Sequence, residues 1–281
     1  MRVLRTIAEL REWRPTAHGV GFVPTMGALH VGHLSLVERA KESGAAVVSI
    51  FVNPTQFGPS EDFAQYPRRE AEDLAVLEGA GTSAVFVPTV EEMYPLGDAT
   101  RVQPGAIADP LEGAARPGHF VGVATVVTKL FAIVEPDVSY FGQKDFQQLR
   151  VLQTVVRDLR LRTRVVGCPI VREQDGMALS SRNAYLDADQ RRDAVMLSRG
   201  LAAAEDLWQT GERDPERLRQ RVREFASAPL VSLEYVSAAD PLTLVELQAP
   251  ADRAVLTLAA RVGNARLIDN ALLGMNVSEL S

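Results

Sequence analysis

Three short apolar runs, Val20 to Val23, Val47 to Val52 and Ala84 to Val87, alternate with stretches whose apolar residues recur at helical spacing. A short apolar run without alternation fits a strand covered on both faces, and the intervening stretches are long enough for crossover helices. Repeated strand–helix units of this kind predict a parallel sheet in an α/β fold. The pattern returns later in the chain. Val138 to Phe141 and Arg164 to Val171, the latter interrupted by Pro169, read as fourth and fifth strands, and Leu149, Leu152, Val155, Val156 and Leu159 between them form an inward helical stripe. Thr6-Ile7-Ala8-Glu9 has the form of a capping box, so a helix with Leu10 and Trp13 on one face is expected ahead of the first strand.

The joints between these elements carry the chemistry. Pro24-Thr25-Met26-Gly27-Ala28-Leu29-His30-Val31-Gly32-His33 follows the first strand and precedes a helix predicted from Ser35 onward, and it holds two of the four histidines. Gly27 and Gly32 admit a ligand close to the backbone, and the helix start offers unpaired N–H groups to an anion. A histidine there feels the positive end of the helix dipole, which disfavours imidazolium, whereas a bound triphosphate favours it. The plain alternative is two polar residues in a surface turn. No third Cys or His lies beside the pair, which weakens a metal reading, and neither G-x-G-x-x-G nor the Walker A pattern occurs.

Other turns offer further candidates. Asn53-Pro54-Thr55-Gln56-Phe57-Gly58 follows the second strand, and its amides fit a ligand as well as they fit turn backbone groups. In Gly142-Gln143-Lys144-Asp145, Lys144 beside a helix start suits a phosphate, while Asp145 and Gln148 have capping-box spacing. Ser180, Ser181 and Arg182 read as a helix cap followed by a surface arginine. Glu61 to Glu78 is expected to be a charged helix with Leu74 and Leu77 inward and with Glu72 and Asp73 on a solvated face. Glu91 to His119, rich in Pro and Gly, reads as a functional loop and a lid. Val123 to Val134 is a helical stripe stopped by Glu135-Pro136.

Past Val171 the pattern changes, and we divide the chain into a first α/β domain, 1–172, and a smaller α+β domain, 173–281. The second holds expected helices over Asp187 to Gln209 and Pro215 to Ala226 and strands over Val231 to Val236 and Ala254 to Ala259. A length of 281 residues, 46% of them hydrophobic and 23% charged, supports sizeable cores rather than disorder. The net charge of −6 argues against a nucleic-acid binder that relies on overall positive charge. No apolar run reaches the ~18 residues of a membrane span. Met1 to Leu4 runs into a polar helix rather than a signal core, and Cys168 is alone, so a cytoplasmic location is expected.

His-x-Gly-His after a first strand resembles the signature of the nucleotidyltransferase superfamily. The longer string P-T-M-G-A-L-H-V-G-H, with F-V-N-P-T-Q-F-G from Phe51, R-P-G-H-F-V-G-V from Arg116, G-Q-K-D-F-Q-Q-L from Gly142 and M-A-L-S-S-R-N from Met177, resembles the pantothenate synthetase (pantoate–β-alanine ligase) family. The resemblance implies a Rossmann-like first domain, with the second domain closing over the ATP site. It also implies a two-step reaction of ATP, Mg2+, (R)-pantoate and β-alanine through a pantoyl adenylate, in a homodimer.

Residue by residue, the resemblance makes His33 a proton donor to the phosphates, with His30 and Lys144 assisting. It places Met26, Gly27, Ala28, Leu29, His30, Val31, Gly32 and His33 on ATP, together with Gly142, Gln143, Lys144, Asp145, Val171, Leu179, Ser180, Ser181 and Arg182. Gln56 would touch pantoate and β-alanine, and Gln148 pantoate. Metal-linked acidic residues of the family fall around Asp73, although most of the magnesium contact is expected through the ATP phosphates. One departure stands out: the lysine block of the family commonly reads G-E-K-D, and this chain has Gln143 for the glutamate. Two other readings remain at this point, a nucleotidyltransferase acting on a phosphate acceptor and a non-catalytic ATP-binding regulator. Gln56 and Gln148 argue against the first, because a phosphate acceptor calls for Arg or Lys.

Overall fold

β2 (Val20–Thr25) is the strand from which the first unit spreads to either side. The computed structural model describes residues 1–59 and 63–280. The chain divides into two compact units, one of Met1–Gly142 with Gln147–Cys168, the other of Gln143–Phe146 with Pro169–Leu280. The lysine turn therefore groups with the later residues, and the division after it falls at Cys168.

In the first unit β1 (Arg2–Leu4), α1 (Ile7–Trp13) and β2 are followed by α2 (Val31–Lys41), β3 (Ala45–Ile50), α3 (Glu70–Gly79) and β4 (Ala84–Phe86). Two short helices, α4 (Val90–Met93) and α5 (Glu112–Ala115), lead to α6 (His119–Val134), β5 (Val138–Gly142), α7 (Phe146–Asp158) and β6 (Arg164–Cys168). The six strands pair in parallel in the order β1-β4-β3-β2-β5-β6. Strand order reverses at β2, so the crevice outside the carboxyl ends of β2 and β5 is where ligands bind in such sheets. Val23, Val48, Val85 and Val138 on the strands pack with Leu36, Val37 and Leu77 on the helices. α6 is buried along almost its whole length, which explains its apolar and β-branched composition.

Several expectations are corrected. β1 leaves no signal in the sequence, since only Leu4 of its three residues is buried. α2 starts at Val31 rather than Ser35, with His30 as the extended residue before it, so His33 lies inside the first helical turn. α3 begins at Glu70, not Glu61; residues 60–62, which include the start of the expected helix, lie outside the described residues. Leu159, expected inward, is exposed beyond the end of α7. The segment from Glu91 to His119, whose pattern lapses in the sequence, contains the helical turns α4 and α5; Lys129 Nζ donates to the Met93 carbonyl at 2.8 Å and pairs with Asp98, and Gln147 Nε2 donates to the Pro110 carbonyl at 2.8 Å.

In the second unit α8 (Ala188–Gln209) and α9 (Pro215–Phe225) precede β7 (Val231–Ala239), β8 (Ala254–Val262) and β9 (Ala265–Leu273). The strands form an antiparallel sheet in the order β7-β8-β9. Leu201, Trp208, Leu218, Val222, Leu256 and Leu258 lie in its core. β9 is hidden in the sequence because Asp269 and Asn270 interrupt its apolar pattern, yet both are buried.

Candidate active site

The turn between β2 and α2 is fixed from below by a carboxylate. Ala28 N–H donates to Asp73 Oδ2 at 2.9 Å and Leu29 N–H to Asp73 Oδ1 at 2.8 Å, and Asp73 is 4% exposed. Asp73 is therefore not on a solvated face, as its charged surroundings suggest, but is an internal anion for two backbone donors. Gly27 has φ +83, and a Cβ added there would meet Asp73 Oδ2 at 2.9 Å, so the tight turn requires glycine. The N–H groups of Ala28 and Leu29 are consequently committed within the protein. Those of Val31 and Gly32, the first two of α2, are the ones a helix cannot satisfy itself.

The two histidines lie with ring centroids 4.1 Å apart. His33 Nδ1 accepts the His30 backbone N–H at 3.3 Å, so a neutral His33 carries its proton on Nε2. That arrangement makes Nε2–H a donor in a fixed direction.

Gln56 is placed by three elements. A short helical turn, Pro54–Gln56, follows β3 and is capped by Asn53, whose Oδ1 accepts the Thr55 N–H at 3.3 Å. Asn53 is 1% exposed; its Nδ2 donates to Gln56 Oε1 at 3.0 Å and to the Gly122 carbonyl at 3.2 Å, and its Oδ1 also accepts from Tyr94 OH at 2.9 Å. These bonds set the Gln56 amide with Nε2 toward Met26 Sδ, at 3.3 Å. α6 comes close at Gly122, where a Cβ would lie 2.3 Å from the Thr55 carbonyl oxygen and 2.7 Å from Gln56 Cα. His119 Nδ1 is 2.8 Å from the Gln56 carbonyl and its Nε2 is 3.0 Å from Arg116. A carbonyl only accepts and a guanidinium only donates, so the two partners select the tautomer with the proton on Nδ1. Burial pushes the Tyr94 hydroxyl above its ordinary value, against a smaller opposing hydrogen bond with Thr55, which keeps it a neutral donor to Asn53. Gln148, on α7, is half-buried.

In the second unit, Lys144 lies 4.0 Å from Asp145, with about a fifth of its side chain exposed. Val171 to Leu179 folds back on itself: Leu179 N–H donates to the Val171 carbonyl at 3.0 Å, and Arg172 bridges to Ala178. Ser180 Oγ then accepts the Arg182 N–H at 3.3 Å, starting a short helical turn over Ser181–Tyr185. The capping role expected of Ser180 is thus present. Arg191 donates to Glu173 and Asp175, both at 2.7 Å, and fixes the base of this loop. Desolvation works to raise the Asp175 carboxyl, but hydrogen bonds from Met177 N–H and Arg191 outweigh it and hold the group below the usual carboxylate range.

The family model of pantoate-beta-alanine ligase matches residues 2–272 of the chain. The chain belongs to the pantoate-beta-alanine ligase family. It is 57% identical over 276 residues to the pantothenate synthetase of Chloroflexus aurantiacus, covering 97% of this chain and 98% of that one. It is 50% identical over 282 residues to the pantothenate synthetase of Moorella thermoacetica, covering 98% and 100%. The crystal structure of the Thermus thermophilus pantothenate synthetase superimposes with a TM-score of 0.93 at 48% identity, over 96% of this chain and 99% of that one. The Francisella tularensis pantoate-beta-alanine ligase, solved with beta-gamma ATP and beta-alanine, gives a TM-score of 0.79 at 34% identity, over 99% and 100%.

Within this ligase fold, Met26 to His33, Gln56 and Gln148 belong to the first unit, and Gln143 to Asp145, Val171 and Leu179 to Arg182 to the second. Asn53, Tyr94 and His119 carry Gln56; of these, sequence reasoning singles out Asn53 alone, as a residue for a ligand or for turn backbone groups, and the bond from Thr55 N–H gives it the second role. His119 stands within the R-P-G-H-F-V-G-V block; Tyr94 leaves no sequence signal at all. Among the described residues no three His, Cys, Asp or Glu side chains converge on a common point, and both oxygens of Asp73 already accept backbone N–H groups. Among the described residues no helix is long and apolar enough to cross a membrane.

Proposed function

We propose that this chain condenses (R)-pantoate with β-alanine in two steps that consume one ATP. A pantoate carboxylate oxygen attacks the α-phosphorus, and its bond forms as the bond to pyrophosphate breaks. The unprotonated β-alanine nitrogen then attacks the acyl carbon, AMP leaves with the bonding electrons, and the surplus amine proton passes to solvent. A carboxylate is a weak nucleophile and both reactants are anionic, so the protein works by positioning and charge stabilisation.

His33 Nε2–H donates to phosphate oxygens as charge grows on the departing pyrophosphate, with the His30 ring beside it. The N–H groups of Val31 and Gly32 face the same anion, while Ala28 and Leu29 shape the turn through Asp73. Lys144 supplies a point charge to the phosphates. Leu179, Ser180, Ser181 and Arg182 line them, Gly142, Gln143 and Asp145 lie along the nucleotide, and Val171 lies at the adenine. Gln56 binds pantoate and then β-alanine, and Gln148 binds pantoate. Magnesium enters as the Mg–ATP substrate.

The observation that carries this reading is the locked Gln56 amide. Asn53 donates to Oε1 and one Nε2–H donates to Met26 Sδ, which leaves the second Nε2–H to donate to an anionic carboxylate at the nucleotide turn. Such an uncharged donor suits an acid that must remain nucleophilic better than it suits a phosphate acceptor. The Francisella tularensis relative solved with beta-gamma ATP and beta-alanine supports both partners.

Purified protein given ATP, pantoate and β-alanine is expected to form pantothenate and AMP in equal amounts. Sustained AMP release in the absence of either acid or amine would contradict the assignment. On the same resemblance we assign a homodimer in the cytoplasm; sedimentation is expected to return twice the chain mass, and a single-chain mass would reject the dimer.

A further inference from the structure

β9 is an edge strand of its sheet, and two adjacent polar residues on it are almost completely buried: Asp269 is 5% exposed and Asn270 2%. Burial of such groups is costly unless each polar atom finds a partner. Here each does, and the partners belong to two loops far apart in sequence.

Asn270 Nδ2 donates to the Gln143 carbonyl at 2.9 Å and to the Lys144 carbonyl at 3.0 Å, and Asn270 Oδ1 accepts from Gln143 Nε2 at 3.1 Å. All its side-chain donors and its acceptor atom are thus spent on the lysine turn. Asp269 faces the other loop. Its Oδ2 accepts from Arg172 Nη1 at 2.7 Å and its Oδ1 from Arg172 Nη2 at 3.1 Å, a two-pronged pair of the kind that fixes orientation as well as distance. The same Arg172 Nη1 donates to the Gly176 carbonyl at 3.1 Å, which carries the constraint into the fold-back that ends at Ser180. Asn183 closes that loop from its far end, with Nδ2 on Glu173 Oε1 at 2.6 Å and on the Ala178 carbonyl at 3.1 Å. A narrow cavity lined by Lys144, Ala178, Ser180, Asn183 and Asp269 lies where the two loops meet.

We propose that Asp269 and Asn270 are positioning residues that set the distance between the lysine turn and the Ser180–Arg182 turn, and thereby preform the grip on the ATP phosphates. The inference rests on the reading above that both turns contact ATP. Neither residue touches substrate; each acts through a loop that does. A rigid strand is well suited to this, because a misplacement of about 1 Å in such a site costs on the order of 10²-fold in rate. Gln143 completes the device, since its amide donates where the glutamate common in the family cannot.

The test is Asn270→Asp, which keeps size and shape but turns an oxygen toward two carbonyl oxygens. Steady-state kinetics on the full chain is expected to show the KM for ATP raised at least ~10-fold and the pantoate-dependent adenylation slowed by a similar factor. The KM for pantoate is expected to hold, as is the rate at which supplied pantoyl adenylate reacts with β-alanine. A variant with the ATP KM and adenylation rate of the parent, or one that loses both half-reactions equally, would overturn the proposal. If Asn270→Asp does not fold, Asp269→Asn replaces it: weakening the pair with Arg172 is expected to shift the same two quantities in the same direction, and unchanged values overturn the proposal. Failure of the parent enzyme itself to adenylate pantoate would instead remove the functional reading on which the inference stands.

Discussion

At the scale of single residues, the nucleotide turn depends on groups that never reach the nucleotide. Asp73 satisfies Ala28 and Leu29 N–H from a helix 45 positions away in sequence, and its charge is met by backbone N–H groups. Asp73→Asn retains one acceptor oxygen but aims an N–H at a backbone N–H. An unsatisfied buried donor costs roughly 1–3 kcal/mol. Chemical denaturation is expected to show a loss of that size, with a raised KM for ATP; a variant with parental stability and ATP KM would show that the contact does not shape the turn. Nothing in the sequence around Asp73 signals this role, because a lone Asp in a charged helix reads as solvated until its partner is known. The histidine pair is legible, since two of four histidines in one strand-to-helix turn is a local feature. The tautomer of His33 is not, because it depends on which way one backbone N–H points.

At the scale of elements, Gly122 lets α6 lie against the backbone that carries Gln56. Adding a methyl group there forces a shift of Thr55 and Gln56, whose atoms would lie 2.3 and 2.7 Å from the new Cβ. Gly122→Ala is therefore expected to raise the KM for pantoate by about 10-fold or more while the KM for ATP changes little; equal changes in both would contradict the separation of the two subsites. The segment leading to α6 is expected to respond to acid. A hydrogen bond from Lys129 holds the Asp98 carboxyl below its ordinary value of 3.8, against a smaller desolvation effect, and Arg101 adds to it. A carboxyl with a lowered value in the folded protein stabilises it above the unfolded value and loses that contribution as pH falls through the folded one. The hydrogen-exchange protection factor of Val102, whose N–H donates to Thr125 Oγ1 at 2.9 Å, is expected to fall below about pH 4, and Asp98→Asn to remove that dependence. A Val102 protection factor that stays constant with pH in the parent would refute the coupling.

The elements themselves are unevenly legible for physical reasons. β2, β3 and β4 are buried on both faces and leave continuous apolar runs. β9 has buried polar residues whose partners lie outside its own sequence, so the pattern breaks although the strand does not. The start of α2 reads four residues late because exposed Val31 hides the periodicity and His30 is not one of the usual capping residues.

At the scale of the whole molecule, His30 and His33 belong to the unit of the parallel sheet, and Lys144 and Ser180 to Arg182 to the unit built on the antiparallel one. The division of labour proposed for them requires that pantoate, bound at Gln56, attacks ATP held at the His33 turn before β-alanine takes part. Exchange of labelled pyrophosphate into ATP tests it most directly. Exchange is expected with pantoate alone, without β-alanine, and His33→Ala is expected to slow it by at least ~10² while circular dichroism stays unchanged. Exchange that proceeds without pantoate, or at the parental rate in a folded His33→Ala protein, would contradict it.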